Sequence, residues 1–261
     1  IIMKYTITNA TFLLAIFSCI VCVTATAQSS RFSYNKYGNA TGDTLSYRML
    51  FPDYDTFRKY PLVIFLHGSG ERGSDNEAQL KWGVMNFATD QMMVGHSAIV
   101  IAPQCPEKMS WSNFGRDEDP AQTKLLPTPS KPMELLIGLI MEMKKNRFVD
   151  TNRIYITGLS MGGFGTYDAI ERYPNLFAAA MPVCGGGDVS KAASIAHIPI
   201  WNFLGSDDGS VDPRYSLNMY NALMKAGARP GYTQYPETGH FSWLAAYSDP
   251  QVYEWLFRQH K

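Results

Sequence analysis

The hydrophobic positions of this chain follow two rhythms. Residues 31–50 place Leu45, Tyr47 and Met49 at alternate positions, the period of a strand with one buried face, and read as an opening antiparallel hairpin. Residues 61–66 are instead a near-continuous apolar run, as in a parallel strand covered on both faces. Further strands are expected at 98–102, 154–156, 177–183, 198–204 and 231–235. Between them the period lengthens. After Pro132, residues Met133, Leu136, Ile137 and Ile140 fall at helical spacing, and residues 77–88 are weakly helical. A helix follows the strand at 154–156 and stops before Pro174, and another covers 189–196. Pro213 starts a helix with Leu217, Tyr220 and Met224 as its expected apolar face and Gly227 as its stop, and a closing helix lies around 252–257. Residues 103–131 are rich in Pro, Ser, Asp and Trp and read as one long irregular segment.

Strands that alternate with helices over short connections give an α/β chain with a mostly parallel, eight-stranded, doubly wound sheet and helices on both faces. Ligands in such sheets bind beyond the carboxyl ends of the strands. No repeat or linker divides residues 28–261, which are expected to form a single domain; 46% of the 261 residues are hydrophobic, enough for one well-buried core.

Residues 1–27 read as a signal peptide. Lys4 precedes an apolar core from Phe12 to Val23, and Ala25-Thr26-Ala27 supplies the small-x-small cleavage pattern. The apolar core is short for a membrane span, and Cys19 and Cys22 lack the small residues expected before a lipidated cysteine. The mature protein is expected to start near Gln28, to be secreted or periplasmic, and to have no stable membrane insertion once the leader is removed. Balanced charge, 23 basic against 23 acidic side chains, argues against a nucleic-acid partner. Of the mature cysteines, Cys105 and Cys184 should end non-adjacent strands and remain free thiols. The five histidines show neither H-x-H nor H-E-x-x-H spacing, so no metal site is expected.

The candidate chemistry begins at Gly158-Leu159-Ser160-Met161-Gly162, a G-x-S-x-G between an apolar run and a helix. A serine on so sharp a turn needs glycine neighbours, and the turn lifts its hydroxyl clear of the sheet. A nucleophilic serine requires a base, and the base an orienting acid. The loop after 198–204 offers Asp207, Asp208 and Asp212, and the loop after 231–235 offers His240. Asp212 directly precedes Pro213 and reads as a helix N-cap. His96, His197 and His260 lack any surrounding motif and read as structural or exposed. Gly68-x-Gly70-x-x-Gly73 matches a dinucleotide fingerprint, but no helix follows at once and no acid ends the next strand, so no cofactor is expected. Gly185-Gly186-Gly187-Asp188 lacks the Lys-Ser/Thr of a phosphate loop and reads as a turn into a helix.

The segments LHGSGERG at 66–73, APQCPE at 102–107, GLSMGG at 158–163 and GHFSW at 239–243, with the Asp207-Asp208 loop, resemble the secreted esterase group of α/β-hydrolases. That group includes feruloyl and acetyl-xylan esterases and proteins labelled predicted peptidases. The resemblance implies an α/β-hydrolase fold and a catalytic triad of Ser160, Asp208 and His240, with Asp207 as the reserve acid. It also implies an oxyanion hole from the backbone amides of Ser69 and Met161, with His67 supporting that loop. Relatives often carry a histidine where this chain has Leu204. Trp111 and Trp243 are candidate substrate walls, with core packing the competing role.

The expected activity is that of a secreted serine esterase cleaving carboxylic esters through an acyl-enzyme, with feruloyl or acetyl esters on plant polysaccharides as candidate substrates. A small-molecule or polysaccharide-linked ester is thus the expected partner. The alternatives are a serine peptidase using the same triad and a non-catalytic binding protein on the same fold.

Overall fold

The alternating residues near the start of the domain fold as β1 (Phe32–Gly38) and β2 (Thr44–Leu50), an antiparallel hairpin in which Tyr37 lies opposite Leu45. The computed structural model describes residues 28–52, 57–115, 119–120 and 123–261; the leader read at 1–27 lies outside the described residues. The apolar run becomes β3 (Tyr60–Leu66), and both it and β4 (Ile99–Pro103) have every side chain buried. A small antiparallel ribbon, β5 (Phe114–Gly115) with β6 (Lys124–Leu125), folds part of the segment expected to be irregular. β7 (Val149–Leu159), β8 (Ala179–Val183), β9 (Trp201–Gly205) and β10 (Gly231–Tyr235) complete one eight-stranded sheet in the order β1-β2-β4-β3-β7-β8-β9-β10. β1 and β2 pair antiparallel with each other, as do β2 and β4, and the other neighbours run parallel.

Side chains alternate along β3, and this splits the core. Leu62, Ile64 and Leu66 join one cluster, while Val63 and Phe65 join the other. The helices are α1 (Asp90–Gly95), α2 (Lys131–Met143), α3 (Met161–Arg172), α4 (Ala192–Ile195), α5 (Arg214–Lys225), α6 (Trp243–Ala246) and α7 (Pro250–Phe257). Residues of α2, α3, α4 and α5 pack in the first cluster, and those of α1, α6 and α7 in the second, so both faces are covered. α2 begins where Ser130 accepts the Met133 amide, and it buries Met133, Leu136 and Ile140 as the spacing requires. Each such side chain contributes about 1.5–3 kcal/mol by leaving water.

One expectation is narrowed and another needs correction. Residues 77–88 form 3-10 turns, Ala78–Leu80 and Val84–Ala88, and no α-helix. α5 buries Ser216, Met219 and Leu223, whereas Leu217 and Met224 are exposed. The two stripes are offset by one residue, a rotation of about 100° on a helix. The polar member of the true stripe is made buriable by its partner: Ser216 Oγ donates to Gly185 O at 2.6 Å. Among the described residues no helix is long and apolar enough to cross a membrane.

Candidate active site

β7 hands the chain to α3 through Ser160, whose φ of 54° and ψ of −116° lie where L side chains are strained. The strain persists because the turn is held at both ends. Ser160 N donates to Val183 O at 2.9 Å, and Phe164 N donates to Ser160 O at 3.1 Å. The flanking glycines are sterically required. A Cβ at Gly162 would stand 2.0 Å from Leu66 O, and one at Gly158 would stand 2.5 Å from Gly162 O.

The loops after β9 and β10 bring an acid and an imidazole to this turn. His240 Nε2 lies 2.9 Å from Ser160 Oγ, and His240 Nδ1 lies 2.7 Å from Asp208 Oδ2. Since a carboxylate only accepts, Nδ1 carries the proton and Nε2 offers its lone pair to the serine hydroxyl. The other Asp208 oxygen accepts the amides of Ser210 and Val211, both at 2.9 Å, which fixes the carboxylate with its side chain 2% exposed. The neighbouring aspartates do other work. Asp207 is exposed and accepts from Ser206 Oγ. Asp212 accepts the Arg214 amide and guanidinium as α5 begins, with Pro213 occupying the boundary position itself.

Met161 opens α3 and Ser69 opens a 3-10 turn, Ser69–Glu71. Each amide therefore belongs to a first turn, whose N–H groups lack an acceptor within the helix. His67 holds the second of these turns from behind: Nδ1 donates to Gly68 O at 2.6 Å, and Nε2 accepts the Cys105 amide at 2.9 Å. Burial holds its pKa down to about 4, so the ring is neutral at physiological pH. Glu71, on the same turn, is also buried, and desolvation raises its carboxyl above the usual range.

Neither tryptophan lines an open cleft. Trp111 is fully buried, its Nε1 donating to His67 O at 3.2 Å and its Cβ packed where Gly165 leaves room. Trp243 is 5% exposed and stands edge-on to the His240 ring at 5.0 Å, backing the imidazole. A further neighbour escaped the sequence reading. Cys184, just beyond β8, has its Sγ 2.8 Å from Ser242 Oγ and 3.4 Å from His240 O, and within 4.8 Å of an Asp208 carboxylate oxygen and a His240 ring nitrogen. Burial pushes its thiol up to about 12, so it remains protonated. The only sequence signals for it were its place at a strand end and the serine two residues after His240. Cys105 is likewise a free, buried thiol. β4 and β8 are separated by β3 and β7 in the sheet, which accounts for the missing bridge.

The profile of the phospholipase/carboxylesterase family matches residues 56–249, which include all of these groups. The chain belongs to that family. It superposes on the crystal structure of a thermostable esterase with a TM-score of 0.83 at 40% identity, covering 90% of this chain and 64% of that one. It is 27% identical over 150 residues to a bifunctional acetylxylan esterase/xylanase of Neocallimastix patriciarum, covering 57% of this chain. It is 29% identical over 126 residues to a poly(3-hydroxyalkanoate) depolymerase of Paucimonas lemoignei, covering 48% of this chain. The match spans 19% of the first curated relative's length and 28% of the second's. This carboxylesterase-family member has the α/β-hydrolase fold, with the antiparallel β1–β2–β4 edge added to a parallel sheet.

Proposed function

We propose that the protein is a secreted serine hydrolase that cleaves carboxylic esters through an acyl-enzyme. The observation that carries this reading is the unbroken hydrogen-bonded line from Ser160 Oγ through His240 to Asp208, on a strained strand-to-helix turn. Ser160 Oγ attacks the acyl carbon while its proton passes to His240 Nε2. Asp208 keeps hold of Nδ1–H and balances the imidazolium. The oxyanion of the tetrahedral intermediate is met by the amides of Ser69 and Met161, each typically worth about 3–4 kcal/mol in such a site. Collapse expels the alkoxide, which takes the proton from Nε2. Water then repeats the sequence on the acyl-serine and releases the acid.

The 40% identity to an esterase over 90% of the chain favours ester over amide substrates, against a shorter match at 26% identity to a dipeptidyl-peptidase. Short acyl or feruloyl esters on plant polysaccharides remain the natural class to screen. Export of the chain rests on the leader read at residues 1–27. A fluorophosphonate probe should label the wild type and not Ser160→Ala, and turnover of p-nitrophenyl acetate should fall on the order of 10⁶-fold in that variant. Equal labelling or near-wild-type turnover in Ser160→Ala would remove the assignment.

A further inference from the structure

Phe241 follows His240 directly, in the 3-10 turn His240–Ser242, and the residue is 56% exposed. The ring is fixed from beneath. Trp243 packs against it at 4.7 Å between centroids and Trp82 at 5.9 Å. The Trp82 and Phe241 rings stand 78° apart, so they form two walls of a corner. Trp82 is half-buried, and Lys81 Nζ sits 4.9 Å from its ring centroid. Trp243 connects the corner to the imidazole, edge-on at 5.0 Å. Aromatic contacts therefore run from His240 through buried Trp243 to Phe241, which meets solvent.

The direction matters for the chemistry. In the proposed reaction the departing alcohol takes its proton from His240 Nε2, so the alcohol oxygen lies at that atom. Its substituent then leaves past the residues flanking the imidazole. We infer that Phe241 and Trp82 form the alcohol-side subsite and select esters whose alcohol carries a six-membered ring with an apolar face, a pyranose or an aryl ring, over esters of short alkyl alcohols. A fixed ring binds such a face at little ordering cost, because the partners that hold it are already in place. A short alkyl group covers little of either wall and gains correspondingly little. This inference rests on the ester-hydrolase reading above.

The test compares kcat/KM on ethyl acetate, benzyl acetate and a methyl 6-O-acetylglucopyranoside, whose leaving alcohols are similar in acidity. Wild type should favour the ring esters. In Phe241→Ala the preference for ring over ethyl ester should fall roughly threefold to tenfold, the size of one aromatic contact. Phe241→Tyr, which keeps the ring, should retain the preference. A fall in the benzyl arm assigns an aryl alcohol, a fall in the sugar arm a pyranose, and a fall in both a general ring subsite. The inference is overturned if both preferences in Phe241→Ala stay within about twofold of wild type, or if wild type turns over ethyl acetate and neither ring ester. If wild type hydrolyses none of the three but turns over p-nitrophenyl acetate above the Ser160→Ala background, the subsite alone fails; if p-nitrophenyl acetate is also untouched, the ester reading fails and takes the subsite with it.

Discussion

His67 is 2% exposed and uses both ring nitrogens, one donating to Gly68 O and one accepting the Cys105 amide. A second ring proton would have to displace the Cys105 amide and place a charge in a desolvated site. The folded chain therefore holds this imidazole near pKa 4, whereas an unfolded chain titrates it at the ordinary 6.5. Below pH 6.5 the unfolded state binds a proton that the folded state refuses. The sign is thus fixed: stability is complete above the ordinary value and is lost as pH falls toward 4. Each pKa unit corresponds to about 1.4 kcal/mol, so the full loss approaches about 3 kcal/mol, with about 2 kcal/mol already gone near pH 5. In a protein of this size that is a fall of about 4–8 °C in Tm. Other groups also titrate in this window, so the informative quantity is the difference between wild type and His67→Gln. Glutamine offers an acceptor for the Cys105 amide but takes up no proton. Urea unfolding followed by tryptophan fluorescence should show the wild-type advantage shrinking by about 2 kcal/mol between about pH 8 and pH 5. A gap that stays constant over that range would refute the reasoning.

The other expectations draw on separate parts of the molecule. Asp208→Asn should lower kcat by about 10⁴-fold, as loss of the orienting carboxylate does in a serine triad, while exposed Asp207→Asn changes it far less; steady-state kinetics on one ester decide, and the reverse order would move the acid by one residue. Glu171 is buried with Oε2 lacking a partner, and desolvation, then Asp188, raises its carboxyl well above the usual range. Here the folded state keeps a proton that the unfolded state releases, so stability falls as pH rises from the ordinary value through the folded one. Glu171→Gln, which can still accept the Asp188 amide, should flatten that alkaline loss in a Tm-against-pH series. Trp111→Ala should cost about 3–5 kcal/mol of unfolding free energy, because the indole fills the core and donates to His67 O. A substrate wall would instead raise KM and leave denaturant midpoints alone.

The central strands were legible because they are short, near-continuous apolar runs: residues 61–66 fit a strand buried on both faces, and β3 has every side chain buried. The serine turn was legible because its steric demands leave only glycine at 158 and 162. The choice of Asp208 came with the family resemblance; in the structure it is the buried aspartate of that loop, bonded to His240, whereas Asp207 is exposed. What escaped were features set by long-range partners. The buried stripe of α5 includes a serine whose acceptor lies in a loop thirty-one residues earlier. Trp111 is claimed by the core because its N–H reaches a carbonyl forty-four residues away. Phe241 and Trp82 are far apart in sequence, and only the fold brings their rings together.

The most direct test of the catalytic account is to quench the enzyme during turnover of p-nitrophenyl acetate and locate the acyl group by peptide mass analysis. The account predicts one acetyl group, on the peptide carrying Ser160, in the wild type during turnover and none in Ser160→Ala. An acetyl group on another residue, or hydrolysis that persists undiminished in Ser160→Ala with no acylated peptide, would contradict it.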